Sequence, residues 1–329
     1  MSGQNAWSEK YRPKTLDDVQ GQEEVIKLLK SSLNSGLPNL LFFGPPGSGK
    51  TTSILAVAHE LFQGYFKERV LELNASNQRG IEMVRTTLKN YAMQDVTHYD
   101  GIPDYKLIIL DESDALTPDA QTALRRMMED FTKNTRFCLI CNYISRILPP
   151  ISSRCIKFRF SALPKEIVSN RLQMICEKEG FSVTNEAIQA VSILSEGDLR
   201  YGIGLLQKLS QGINHSVTPQ DISNVAGVVP SKEITEIIHL CQNGSVNDLY
   251  LKAMSLVVEQ NFSADSILSQ LRDVYIEDCV NLTNQERCLF LQLIAQSDAT
   301  LIDKTDPLFT ICALLCSLFK FYHKLTLNP

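Results

Sequence analysis

Eight consecutive residues, Gly44-Pro45-Pro46-Gly47-Ser48-Gly49-Lys50-Thr51, have the types and the spacing to hold a polyphosphate. The glycines let backbone N–H groups curl around phosphate oxygens where a Cβ would obstruct them. Lys50 sets a cation against the outer phosphates, and the Thr51 hydroxyl is a hard ligand suited to Mg²⁺. An apolar run, Leu40-Leu41-Phe42-Phe43, stands directly before the loop, and a helix is expected to open near Gly49 and run through Thr52. The loop therefore sits where the positive end of a helix meets a strand end, which is itself an anion site.

Downstream, Leu107-Ile108-Ile109-Leu110-Asp111-Glu112 reads as a buried strand ending in two carboxylates. Adjacent side chains at a strand end diverge, so the two can do different work. Asp111 is placed to hold a metal's hydration shell, and Glu112 to orient and deprotonate an attacking water. Asn142 ends the next apolar run, where its amide can hydrogen-bond either the terminal phosphate or that water, or serve only as a turn residue.

The elements that position these groups follow from periodicity. Between about 39 and 160, short apolar runs at 40–43, 70–73, 107–110, 137–140 and 156–160 alternate with amphipathic stretches, the pattern of a parallel sheet covered by helices on both faces. After Pro164 helical spacing takes over, at about 165–179, 184–195, 198–211 and 217–226. Ala226-Gly227-Val228-Val229-Pro230 reads as a linker. From 231 onward the chain is helical, and Leu308 to Phe321 is apolar almost all round, so that this helix is central to its own bundle or buried against another chain. The expected organisation is an α/β nucleotide-binding domain over 1–162, a small helical lid over 163–228 and an all-helical collar over 229–329.

Composition bounds the function. The 329 residues carry 32 Lys plus Arg against 37 Asp plus Glu, a net charge of -5, so any contact with DNA must be local rather than a property of the whole surface. Nothing in the sequence supplies a signal peptide or a membrane span, and an intracellular chain without membrane attachment is expected. The nine cysteines, scattered and odd in number, are read as thiols. Cys138 and Cys141, three apart on one strand, should face opposite ways and make a poor metal pair.

With these positions in hand, the sequence resembles the AAA+ ATPases, and among them the small subunits of the eukaryotic replication factor C clamp loader. The resemblance runs through Trp7-Ser8-Glu9-Lys10-Tyr11-Arg12-Pro13, the phosphate loop, Leu73-Asn74-Ala75-Ser76, Phe137 to Tyr143, Ser153-Arg154-Cys155 and Gly197-Asp198-Leu199-Arg200. Departures are Asp111-Glu112-Ser113-Asp114 for Asp-Glu-Ala-Asp, Ser48 for the frequent Thr, and Tyr201 after the lid arginine. The resemblance implies ATP and Mg²⁺ as cofactors. It implies that Tyr11, Arg12, Pro13, Val19 and Gln22 pack on or cap the adenine, that Asn142 is a phosphate sensor, and that Arg200 reaches back from the lid. Arg154 is implied to enter a neighbouring subunit's site in trans.

The same resemblance implies partners: other clamp-loader subunits in a heteropentamer, a ring-shaped sliding clamp, and primer-template DNA bound without sequence preference, in the nucleus. From the residues alone, Arg79, Arg85 and Lys89 line one edge of a helix after the second strand, as either a solvated face or a phosphate-tracking edge. The clamp-loader likeness favours the second. A protein-remodelling motor is the alternative, but its pore loop needs an aromatic residue, and 76–89 has none. A non-hydrolysing structural subunit is the other alternative, against which Lys50, Glu112 and Asn142 all speak.

Overall fold

The computed structural model describes residues 6–34, 36–77, 80–212, 215–276, 282–302 and 305–323. The chain divides into two compact units, Met1–Thr218 and Pro219–Pro329.

The first unit is built on five parallel strands, β1 (Leu40–Phe43), β2 (Val70–Asn74), β3 (Lys106–Asp111), β4 (Thr135–Cys141) and β5 (Ile156–Arg159), in the spatial order β2-β3-β4-β1-β5. Strand alternation sorts their side chains into two cores. Leu40, Phe42, Leu107, Ile109, Cys138 and Ile140 face one way, onto α1 (Glu23–Asn34) and α2 (Lys50–Phe62). Leu41, Ile108, Leu110, Phe137, Leu139 and Cys141 face the other, onto the helical segment 81–93 and α3 (Pro118–Asp130). Both faces are covered, which is why the strands read as continuous apolar runs, and each fully buried Leu, Ile or Phe contributes about 1.5–3 kcal/mol. Cys138 and Cys141 lie in different cores.

Local chemistry sets the helix ends. Thr117 caps α3 by accepting from the Ala120 N–H, with Pro118 in the first turn, where its missing N–H costs nothing. The lid helices are α4 (Lys165–Glu179), α5 (Asn185–Leu194) and α6 (Leu199–Gly212), and Thr184 caps α5 in the same way as Thr117 caps α3. Segment 81–93 is not a uniform helix: residues Val84–Leu88 form a π-helical turn, a local widening that helical periodicity does not reveal.

The second unit is all-helical: α7 (Pro219–Ala226), α8 (Ser231–Asn243), α9 (Val246–Met254), α10 (Ala264–Ile276), α11 (Asn284–Ile302) and α12 (Pro307–Tyr322). The apolar α12 is the central helix of this bundle, burying Ile311, Leu314, Leu315 and Leu318 against α8, α9, α10 and α11. Among the described residues no helix is long and apolar enough to cross a membrane.

Candidate functional site

The parallel sheet brings β1, β3 and β4 to one edge with their C-terminal ends side by side, and the phosphate loop, the two carboxylates and Asn142 follow directly from them. They meet in one cleft, floored by residues 46–52 and roofed by the helical lid. Two glycines are required there. A Cβ on Gly44 would stand 2.1 Å from the Phe160 carbonyl oxygen, and one on Gly47 1.9 Å from Oδ1 of Asp198 on the lid. The second contact is where lid and phosphate loop touch.

Lys50, 7% exposed, donates from Nζ to the Gly44 oxygen at 2.8 Å, the Pro45 oxygen at 2.7 Å and Asn142 Oδ1 at 3.0 Å. Burial pushes its pKa below that of a free lysine, and the nearby Asp111 carboxylate opposes that shift. Thr51 Oγ1 donates to Asp111 Oδ2 at 2.7 Å, so the two hard oxygens suited to Mg²⁺ are already side by side. The Glu112 N–H donates to Asp111 Oδ1 at 2.8 Å, and Glu112 itself is held in the left-handed backbone region at φ 53°, a conformation rare for a residue with a side chain.

The cleft is lined by Tyr11, Arg12, Pro13, Val19, Pro46, Gly47, Ser48, Gly49, Lys50, Thr51, Thr52, Asp111, Glu112, Asn142 and Arg200 among the residues singled out from sequence. Gly44 and Pro45 contribute their carbonyls to Lys50 instead. Gln22 is placed differently: it is buried behind the loop, donating to the Ser48 and Ser161 carbonyls at 3.3 and 2.8 Å, and it braces the loop rather than facing the cleft. The N-terminal strap is tied to the lid, with Tyr11 accepting from Arg171 Nη2 through its carbonyl at 2.8 Å, Trp7 donating to Gln207, and Lys10 paired with Glu179.

Several lining residues escaped the sequence reading. Ile167 and Arg171 stand four apart on one face of α4, with Leu163 in the extended segment just before that helix, and Ile203 stands one turn from Leu199. That spacing was a signal, though nothing local said which face met the core. Asp114 accepts from the N–H groups of Asn142 and Tyr143, fixing the loop that carries Asn142. Asn74, opposite Asp111 in the β2–β3 register, donates from Nδ2 to Glu112 Oε1 at 3.1 Å.

Arg154 lies outside the cleft. It precedes β5 at the N-terminal edge of the sheet, where Ile156 pairs with Leu40, whereas Lys50 follows the opposite end of β1. The four-residue strand between those edges is about 13 Å long. Its side chain is 39% exposed, paired with Glu129 at 2.5 Å and donating to the Pro150 oxygen at 2.7 Å. Arg85 and Lys89 are exposed on the 81–93 segment, and Arg79 lies outside the described residues.

Two family models match the sequence: ATPase family associated with various cellular activities (AAA) over residues 40–163, and Replication factor C C-terminal domain over 229–317. Replication factor C subunit 4 of Arabidopsis thaliana is 43% identical, the match covering 95% of this chain and 97% of that protein. The human protein of the same name is 45% identical over 93% and 86% of the two chains, and the Replication factor C small subunit of Thermofilum pendens is 41% identical over 95% of each. Among solved structures, the Thermotoga maritima RuvB Holliday junction branch migration motor aligns with 79% of this chain and 90% of its own, with a TM-score of 0.53 at 18% identity, a likeness of fold alone. By fold, by family model and by full-length relatives, the chain belongs to the AAA ATPases and, within them, to the replication factor C small subunits.

Proposed function

We propose that the protein is an ATP-hydrolysing subunit of a heteropentameric clamp loader, which opens a ring-shaped sliding clamp and loads it onto primer-template DNA during replication and repair in the nucleus. The observation that carries this reading is the division of the catalytic groups: Lys50, Thr51, Asp111, Glu112 and Asn142 converge in one cleft, while Arg154 stands exposed at the opposite edge of the same sheet. On this reading residues 1–162 serve as the ATPase domain, 163–228 as the lid and 229–329 as the collar that joins neighbouring subunits, although α7 (Pro219–Ala226) groups with the second unit rather than with the other lid helices.

The residues fit MgATP. Bound in the cleft, it supplies the phosphoryl group and the metal's charge. Lys50 neutralises the outer phosphates, Thr51 and Asp111 hold the metal, and Glu112 orients and deprotonates a water. Asn142 fixes that water or the terminal phosphate, and Arg200 brings the lid's charge to the phosphates. Tyr11, Arg12, Pro13 and Val19 enclose the base, with Gln22 supporting the loop from behind. Arg154 completes the neighbour's site, so turnover depends on assembly. Arg85 and Lys89, with Arg79, follow the phosphates of the duplex, a sequence-independent contact weakened by salt.

The test is ATPase activity of the assembled complex with and without clamp and primed DNA. Stimulation by both is expected; stimulation by an unfolded polypeptide in their place would instead identify a remodelling motor.

A further inference from the structure

Glu129 is the penultimate residue of α3, in a last turn that contains no basic residue. A carboxylate there opposes the helix dipole, whose negative end it joins, so it does not serve the stability of its own helix. Arg125 and Arg126 stand one turn back, at the spacing that favours pairing along a helix. Yet among the described residues the ion pair Glu129 makes is with Arg154, 25 positions on, Oε1 to Nη2 at 2.5 Å. The arginine's Nη1 donates to the Pro150 oxygen at 2.7 Å, and Nε takes part in neither contact.

The loop that carries Arg154 is fastened to the same helix. Gln121, two turns before Glu129, donates to the Arg146 carbonyl at 3.1 Å and accepts from the Leu148 N–H at 2.8 Å. Helix α3 thus holds the backbone of the 146–154 segment at one point and the guanidinium at another. An unheld arginine carries large rotamer freedom, and a planar fork is useful only when it is aimed. We propose that Glu129 is a positioning residue for Arg154: it neutralises the guanidinium and fixes its direction at the surface, so that assembly delivers an arginine already aimed at the neighbouring subunit's phosphates. This rests on the reading that Arg154 acts in trans.

The experiment compares complexes reconstituted with wild-type subunit, Arg154→Ala, Glu129→Ala and Glu129→Gln, measuring kcat and KM for MgATP with clamp and primed DNA present. The Arg154-dependent turnover is the difference between the wild-type and Arg154→Ala complexes. Both partners are about 40% exposed, so the pair is modest, and Glu129→Ala should lower that turnover about two- to five-fold without raising KM. Glu129→Gln, which keeps an acceptor oxygen in place, should recover part of it. If Arg154→Ala lowers turnover while Glu129→Ala matches wild type, the inference is wrong and the trans reading stands. A Glu129→Ala effect confined to KM or to subunit incorporation likewise overturns it. If Arg154→Ala changes nothing, the trans reading itself fails and takes the inference with it.

Discussion

The two edges of the parallel sheet handle positive charge in opposite ways. At the C-terminal edge Lys50 is almost fully buried, with three oxygen acceptors and burial pressing its pKa down. At the N-terminal edge Arg154 is substantially exposed and held by one carboxylate and one carbonyl. A buried lysine is costly unless its acceptors and a prospective anion offset desolvation, so that edge is built for a ligand of its own. An exposed arginine costs little and commits to little, which suits a contact made only on assembly. On the proposed reading, the fold separates the two halves of one chemistry by a strand's length.

Substitutions at the two edges should separate in the same way. The largest effect is expected from Arg154→Ala: hydrolysis at the neighbouring subunit's site should fall by on the order of 10³ to 10⁵, while this subunit's own ATP affinity, by titration with a fluorescent nucleotide, stays unchanged. A drop in its own affinity would erase the contrast between the edges. Next is Glu112→Gln, which should cut hydrolysis at this subunit's site by about 10² to 10⁴ and leave ATP binding intact. Smaller again is Lys50→Met, with ATP affinity lowered about 10- to 100-fold, the worth of a charge-assisted bond to phosphate. Equal affinity in that variant would mean that the buried cation serves the loop's own structure instead.

The contrast also divides what was legible. The phosphate loop and the Asp111-Glu112 strand end were readable because their chemistry is local: strand, loop and helix follow one another in sequence. The strand positions emerged too, since burial on both faces leaves uninterrupted apolar runs such as Leu107 to Leu110. Pairings set by spatial neighbours did not emerge. Asn74 meets Glu112 only because β2 and β3 pair with Asn74 opposite Asp111, a register no single strand encodes. Glu129 meets Arg154 across a helix, a strand and a turn. Gln22 looked like an adenine-side residue, and its amide instead bridges two backbone carbonyls behind the loop. The π turn at Val84–Leu88 has no mark in an ordinary run of valine, arginine, threonine and leucine.

The finest expected effect concerns that unreadable pairing at the C-terminal edge. Asn74 is itself fixed, its Oδ1 accepting from the Ser76 N–H at 2.8 Å and from the Ser76 hydroxyl at 2.6 Å, which turns the Nδ2 group toward Glu112. A donor on the carboxylate lowers its basicity and competes with water for its lone pairs. Asn74→Ala should therefore raise ATP hydrolysis in the absence of DNA about two- to five-fold, the scale of an exposed, solvent-screened contact to a charged group, with KM for ATP unchanged. If Asn74→Ala slowed hydrolysis instead, the amide would be an aiming device for Glu112, and the two edges of the sheet would then share one strategy, a neighbour that orients the charged group beside it.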